Sequence, residues 1–273
     1  MEILTNLTIL MYTFGTAGYF AYLFAQKEYL QKTGYGLLFA GFISHTAFIV
    51  LDFHHSGHLP AVNMNEALLM AAWAIVCVFL WVHVRYRLKI LGVYAAPLAA
   101  IVMVMAVQFS REPGQSQTIF NSFWFVVHIL GIFIGEAAFA LACGLGILYL
   151  IQEHAIKSKS RGFFYKRLPS LELLDYTGYG CIIIGFIMLT IGLITGFVYA
   201  ESLWGRLWTW DPKEVWSVVS WLTYAALLHQ RMTVGWRGKK SAVWAIIGFL
   251  LILFTFFGVN LLLKGHHQDF TRF

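Results

Sequence analysis

The chain has 273 residues, of which 59% are hydrophobic and only 12% charged, with a mean hydropathy of +0.71. That balance excludes a soluble domain and identifies an integral membrane protein. The net charge of +6 is then a matter of membrane topology, and no nucleic-acid partner is implied.

Eight apolar segments are each long enough to cross a bilayer, which takes roughly 20 residues. They cover about 3–25, 34–53, 66–84, 90–109, 123–151, 176–200, 213–230 and 241–263. Only Glu2 precedes the first run, so no basic leader region of a cleaved signal peptide is expected. The connections after the odd-numbered segments hold Lys27 and Lys32, then Arg85, Arg87 and Lys89, then Lys157, Lys159, Arg161, Lys166 and Arg167, and finally Arg231, Arg237, Lys239 and Lys240. These are 14 of the 19 basic residues. The other side carries Arg111, Arg206, Lys213, Lys264 and Arg272. Basic loops stay in the cytoplasm, so both termini are expected on the extracytoplasmic side. With no internal repeat and no soluble insertion, residues 1–273 form one expected all-α, polytopic membrane domain: four helices in 1–122 and a C-terminal half in 123–273.

Cys77, Cys143 and Cys181 all lie within apolar runs, and no CxxC or CxxCH occurs. That excludes a covalently haem-bearing cytochrome and a thioredoxin-like reductant, and leaves small buried hydrophobes. The first outer connection, DFHHSGHLPAVNMNEAL, brings His54, His55 and His58 close together. With no cysteine nearby, the three read as residues of a solvated loop rather than a metal site.

Within the apolar runs, His45 and Glu136 are costly to bury and so carry a functional prior, while His83, at the cytoplasmic end of the third segment, equally reads as an interfacial flank. His128 sits near the outer end of the fifth segment, about one turn below Trp124. Glu136 comes eight residues later, about 12 Å deeper on nearly the same helix face. The bland reading for Glu136, slightly favoured, is a protonated structural carboxylic acid bonded to another helix.

The most distinctive stretch is WGRLWTWDPKEVWSVVSW, residues 204–221, which holds five of the ten tryptophans. Asp211 suits an N-cap, Pro212 the first helical position, and Glu214 completes a capping box, so a helix starts inside the aromatic cluster. An interfacial belt needs only scattered Trp or Tyr. Here Trp204, Trp208, Trp210 and Trp216 are interleaved with Arg206, Asp211, Lys213 and Glu214, an arrangement suited to a flat, apolar ligand bearing carboxylates. His229 lies 18 residues past Asp211 on the same helix, about 27 Å away and near the opposite membrane face. The tail, GVNLLLKGHHQDF, returns His266 and His267 to the level of the tryptophans.

WGRLWTWDPKEVW resembles the tryptophan-rich WWD signature of the haem-handling proteins of cytochrome c biogenesis, most closely the CcsA (ResC) type of system II. The resemblance covers most of the chain and is densest from Phe123 to His267. Near the start of the third segment the pattern departs, Asn65 standing where an aromatic is expected. By resemblance, haem b would be held through its iron by His128 and His267 outside, with the WWD loop at 201–216 as its shelf. His267 is selected over His266 by its spacing from Asn260, Leu261 and Leu262. Trp204, Trp208, Trp210, Asp211, Glu214 and Trp216 would form the shelf, with Arg206 and Lys213 as candidate propionate partners. The resemblance also implies a deeper haem at His229, its second ligand coming from a ResB (CcsB)-type partner, or less favourably from His83.

The implied function is to bind and export haem and, as a subunit of a haem lyase, to present it for thioether attachment to CxxCH of apocytochrome c. The expected location is the bacterial inner (cytoplasmic) membrane or a thylakoid-like membrane, with the loop extracytoplasmic. Two other readings stay open: a b-type membrane electron carrier, and a regulator of haem synthesis sharing the layout.

Overall fold

A computed structural model describes residues 1–109, 122–159 and 162–259. It contains eight α-helices: α1 Glu2–Ala25, α2 Glu28–Ser56, α3 Met64–Tyr86, α4 Gly92–Ala106, α5 Phe123–Lys157, α6 Leu171–Trp204, α7 Pro212–Thr233 and α8 Lys239–Leu253. A 3-10 turn at Lys89–Leu91 leads into α4, and a π-helical turn at Phe254–Gly258 extends α8. No strand occurs among the described residues. The chain is a multi-pass, all-α membrane bundle.

Among the described residues, seven helical stretches are long and apolar enough to cross a membrane. α7 has the length, 22 residues, but is more polar than the rest. Several helices outrun the apolar segments that announce them: α2 starts at Glu28 rather than 34, and α5 continues to Lys157 rather than 151. An apolar run marks only the hydrocarbon-embedded part, and backbone hydrogen bonding continues until a cap stops it. Gln26, Gly57, Arg87 and Gly205, all left-handed, close α1, α2, α3 and α6.

α1 packs against α2 and α4, α3 against α4, and α5 against α6 and α8; the α3–α5 contact joins the two halves. The α5–α6 interface is the most extensive, and glycines allow it. A Cβ on Gly131 would come within 2.9 Å of the Gly192 amide nitrogen, and one on Gly135 within 3.0 Å of that of Leu189. Gly131/Gly135 and Gly192/Gly196 are small-xxx-small pairs, the spacing that lets helix backbones approach closely in a membrane.

Polar groups tie down the helix ends. Arg167 donates from Nε to the Leu23 carbonyl at 2.7 Å and from Nη2 to that of Phe24 at 3.1 Å, capping the last turn of α1. Arg231 grips Asp175 bidentately, at 2.9 and 2.6 Å, and reaches Ser241 at 2.9 Å, locking α6, α7 and α8 together at the basic end of the bundle. Asn65 donates to the Ala106 carbonyl at 2.7 Å and so joins the start of α3 to the end of α4. The three cysteines are free, Cys143 and Cys181 buried and Cys77 half-buried.

Candidate functional site

The WWD loop runs from the left-handed Gly205 to the first turn of α7, and its geometry is set by Glu214. The Glu214 carboxylate accepts from the Thr209 amide at 2.9 Å, the Thr209 hydroxyl at 2.9 Å and the Asp211 amide at 3.3 Å. Asp211 in turn accepts from the Lys213 amide at 2.8 Å, completing the capping box, with Pro212 opening the helix. Two carboxylates therefore hold the α7 end of the loop, from Thr209 to Lys213, by the capping box the residue order predicts.

Trp210 has φ of 61°, a left-handed conformation that bulky side chains rarely adopt. The turn throws its indole outward, 77% exposed, where it meets Trp208 edge-on with ring centroids 5.5 Å apart. Trp208 also packs on Phe197 of α6, and Trp216 lies edge-on to Phe254 at 4.7 Å. The loop thus offers an exposed aromatic platform backed by a packed layer. Trp204 ends α6; its side chain lies outside the described structure.

Beneath the platform a cavity of about 220 Å³ opens between α5, α6, the start of α7 and the π-helical turn. The residues before α3 close one wall, with Ala61 and Val62 on the cavity. The lining is mainly apolar, through Phe125, Phe133, Leu193 and Phe197, and carries His128, Glu136, Tyr199, Lys213 and Glu214. His128 is held firmly: its Nδ1 lies 2.7 Å from the Gly192 carbonyl. A carbonyl can only accept, so Nδ1 carries the proton and Nε2 is the nitrogen with the lone pair. The ring fits because residue 196 is glycine; a Cβ there would sit 2.6 Å from Nδ1. A locked imidazole of defined tautomer in an apolar, aromatic-lined cavity with a nearby cation fits an iron-bearing, carboxylate-bearing macrocycle.

The expected site residues separate into groups. His128, Lys213 and Glu214 share the cavity, while Arg206 is exposed on the loop and Trp208, Trp210 and Trp216 belong to the platform. His229 stands apart on α7, exposed on the outside of the bundle toward its basic end. His83 stacks on Tyr35 at 4.5 Å, held by α2 and its own helix, whereas α7 packs on α6 and α8. His45 is a core residue, its Nδ1 3.3 Å from the Tyr12 hydroxyl. His266 and His267, with the tail that carries them, lie outside the described residues.

One expectation needs correction. The first outer connection is not simply a solvated loop: His54 and His55 are exposed, but His58 is buried, its Nδ1 3.0 Å from the Leu59 carbonyl. No group of three or more metal-binding side chains forms among the described residues. Glu136, slightly favoured as a structural acid, lies on α5 and lines the same cavity as Lys213. Periodicity places Glu136 below His128; nothing in the sequence places it in one cavity with Lys213. The GLITG stretch of α6 was the missed local sign, since two glycines four apart announce a close approach and hence what seats His128.

Comparison with known proteins identifies the family. Residues 61–267 match the family model described as Cytochrome C assembly protein. The cytochrome c biogenesis protein CcsA of Chlorella vulgaris is 33% identical over 269 residues, spanning 86% of this chain and 84% of the relative. That of Synechococcus sp. (strain CC9902) is 34% identical over 252 residues, 82% of each. Among solved structures, the cytochrome c haem lyase CcmF superposes with a TM-score of 0.64 at 16% identity, over 98% of this chain and 48% of that one, a likeness of fold. With most of its length matched by the family model and by relatives at this identity, the chain belongs to the cytochrome c assembly protein family, as a CcsA-type protein of cytochrome c biogenesis.

Proposed function

We propose that the chain carries haem b to the extracytoplasmic face of its membrane and presents it there for covalent attachment to apocytochrome c. The membrane is the bacterial inner membrane or a thylakoid-like one, α7 is its eighth crossing, and both termini lie outside with the WWD loop. The observation that supports this most directly is His128: an imidazole of fixed tautomer, facing an apolar cavity under an aromatic platform. His267, from the tail, is the second axial ligand. The tryptophans cover the macrocycle, and Lys213, which lines the cavity, is the better placed of the two candidate propionate partners.

The reaction is addition of a CxxCH thiol across each haem vinyl group. The S–H bond breaks, a C–S bond forms and the proton goes to the neighbouring vinyl carbon, so no oxidant is consumed. A ResB-type partner completes the synthase and supplies the second ligand to a deeper haem at His229. The exposure of His229 on the outside of the bundle agrees with a ligand arriving from another chain. An electron carrier of the b type would pair its histidines between facing helices and has no use for a capped tryptophan loop.

The test is to purify the chain with the co-expressed partner, record the haem spectrum and weigh the cytochrome c produced. His128→Ala and His267→Ala are each expected to abolish the outer haem signal and cytochrome maturation, with partial rescue by imidazole, whereas His266→Ala is mild. Full maturation in the His128 variant would remove the ligand assignment, and a complex without haem would remove the function.

A further inference from the structure

The cavity under the platform contains two opposite charges that the reading above uses only in part. Lys213 enters it from the first turn of α7, and Glu136 from α5, eight residues and about 12 Å further along the helix than His128. Of the two carboxylates on the cavity, Glu214 is committed to the loop through three hydrogen bonds. Glu136 shares the cavity with Lys213 from the opposite element, α5 against α7, and the two form no ion pair among the described residues. Both line the space a ligand would enter. An ammonium beside apolar walls is expensive, and carboxylates near it, Asp211 on its own helix start and Glu136 on the same cavity, offset that cost when the cavity is empty.

We infer that Glu136 is a positioning residue that acts through Lys213 and makes the hold on a ligand carboxylate reversible. This rests on the haem-presenting function proposed above. A ligand carboxylate drawn to Lys213 also enters the field of Glu136, whose negative charge opposes it at every step. Lys213 supplies the attraction that brings the anionic edge of the ligand in, and Glu136 keeps that attraction from becoming a trap. A protein that passes its ligand on needs both. If the cavity only had to store haem, an apolar residue at 136 would serve better, since an acid there costs burial and repels the ligand's own charge.

The experiment measures release of iron protoporphyrin IX, and of its dimethyl ester, from the full chain purified with its partner in lipid nanodiscs. Glu136→Gln keeps the size and hydrogen-bonding capacity of the side chain and removes its charge. In this variant, release of the free acid is expected to slow by roughly tenfold, the effect of one unit charge about 10 Å away at an effective dielectric constant of about 20. Release of the ester, which has no carboxylate, is expected to stay unchanged. In the Glu136→Gln/Lys213→Gln double variant the acid and the ester should leave at the same rate. Equal effects on acid and ester, in either direction, would show that Glu136 merely shapes the cavity and would overturn the inference, as would unchanged or faster release of the acid. If the wild-type complex binds neither porphyrin, the proposed function fails first and this inference falls with it.

Discussion

The imidazole of His128 is placed by two groups of α6 that carry no side-chain chemistry: the Gly192 carbonyl, which accepts from Nδ1, and the bare Cα of Gly196, against which the ring lies. Gly196→Ala should therefore act on haem before it acts on folding. The added methyl meets the ring at 2.6 Å and forces it off its carbonyl partner, so the outer haem signal should fall or change its axial signature while the protein stays in the membrane at normal level. An unchanged haem spectrum would mean that the ring position is not set by this contact. Trp210 offers the opposite separation. Its left-handed backbone stores of order 1–3 kcal/mol, which glycine relieves. Trp210→Gly is accordingly expected to raise thermal stability and lower haem retention, a pair of signs that a simple anchoring role for this exposed indole would not produce.

At the scale of the element, the loop and α7 are one unit built by the capping box. Removing the cap with Asp211→Ala should cost roughly 0.5–2 kcal/mol and fray the start of α7, which carries Lys213 into the cavity. Haem binding should weaken in proportion to the lost helix start, and Asp211→Asn or Asp211→Ser, which still cap, should restore most of it. Failure of both capping variants to restore binding would indicate that the carboxylate charge itself is needed. The other end of α7 is held differently: Arg231, with its guanidinium on Asp175 and Ser241 and its face on the Tyr179 ring, fastens it to α6 and α8. The helix is thus fixed at both ends, which suits an element that carries ligand-facing residues at two depths.

Across the whole molecule, His229 and the cavity are separated by most of the length of α7, about 27 Å by its rise per residue, too far to share one iron. If His229 holds a deeper haem that feeds the outer one, His229→Ala should lower haem at both positions and reduce cytochrome output, whereas His267→Ala should lower only the outer one. Haem content per complex in the two variants decides this; normal output from His229→Ala would mean that haem reaches the cavity by another route. The exposed position of His229 adds that, in the chain alone, its imidazole faces whatever surrounds the bundle, so the effect should be measurable only with the partner present.

Much of this architecture is determined by local physics and was therefore legible in the residues themselves. Runs of apolar side chains must become helices in a membrane, because every backbone N–H and C=O there needs an internal partner, and the helices follow those runs. The cap at Asp211, Pro212 and Glu214 is a three-residue device and formed as its order implies. What only the tertiary structure decided is which distant residues share a space: that His128 is seated by Gly192 and Gly196, that Lys213 turns into the cavity while Arg206 stays on the surface, that His58 is buried, and that Glu136 lines the same cavity as Lys213. Periodicity gives the face a residue occupies on its own helix, but not the neighbour that face meets. That choice is made by the close packing of α5, α6 and α7, where small residues let backbones approach and the bulky ones leave a cavity between them.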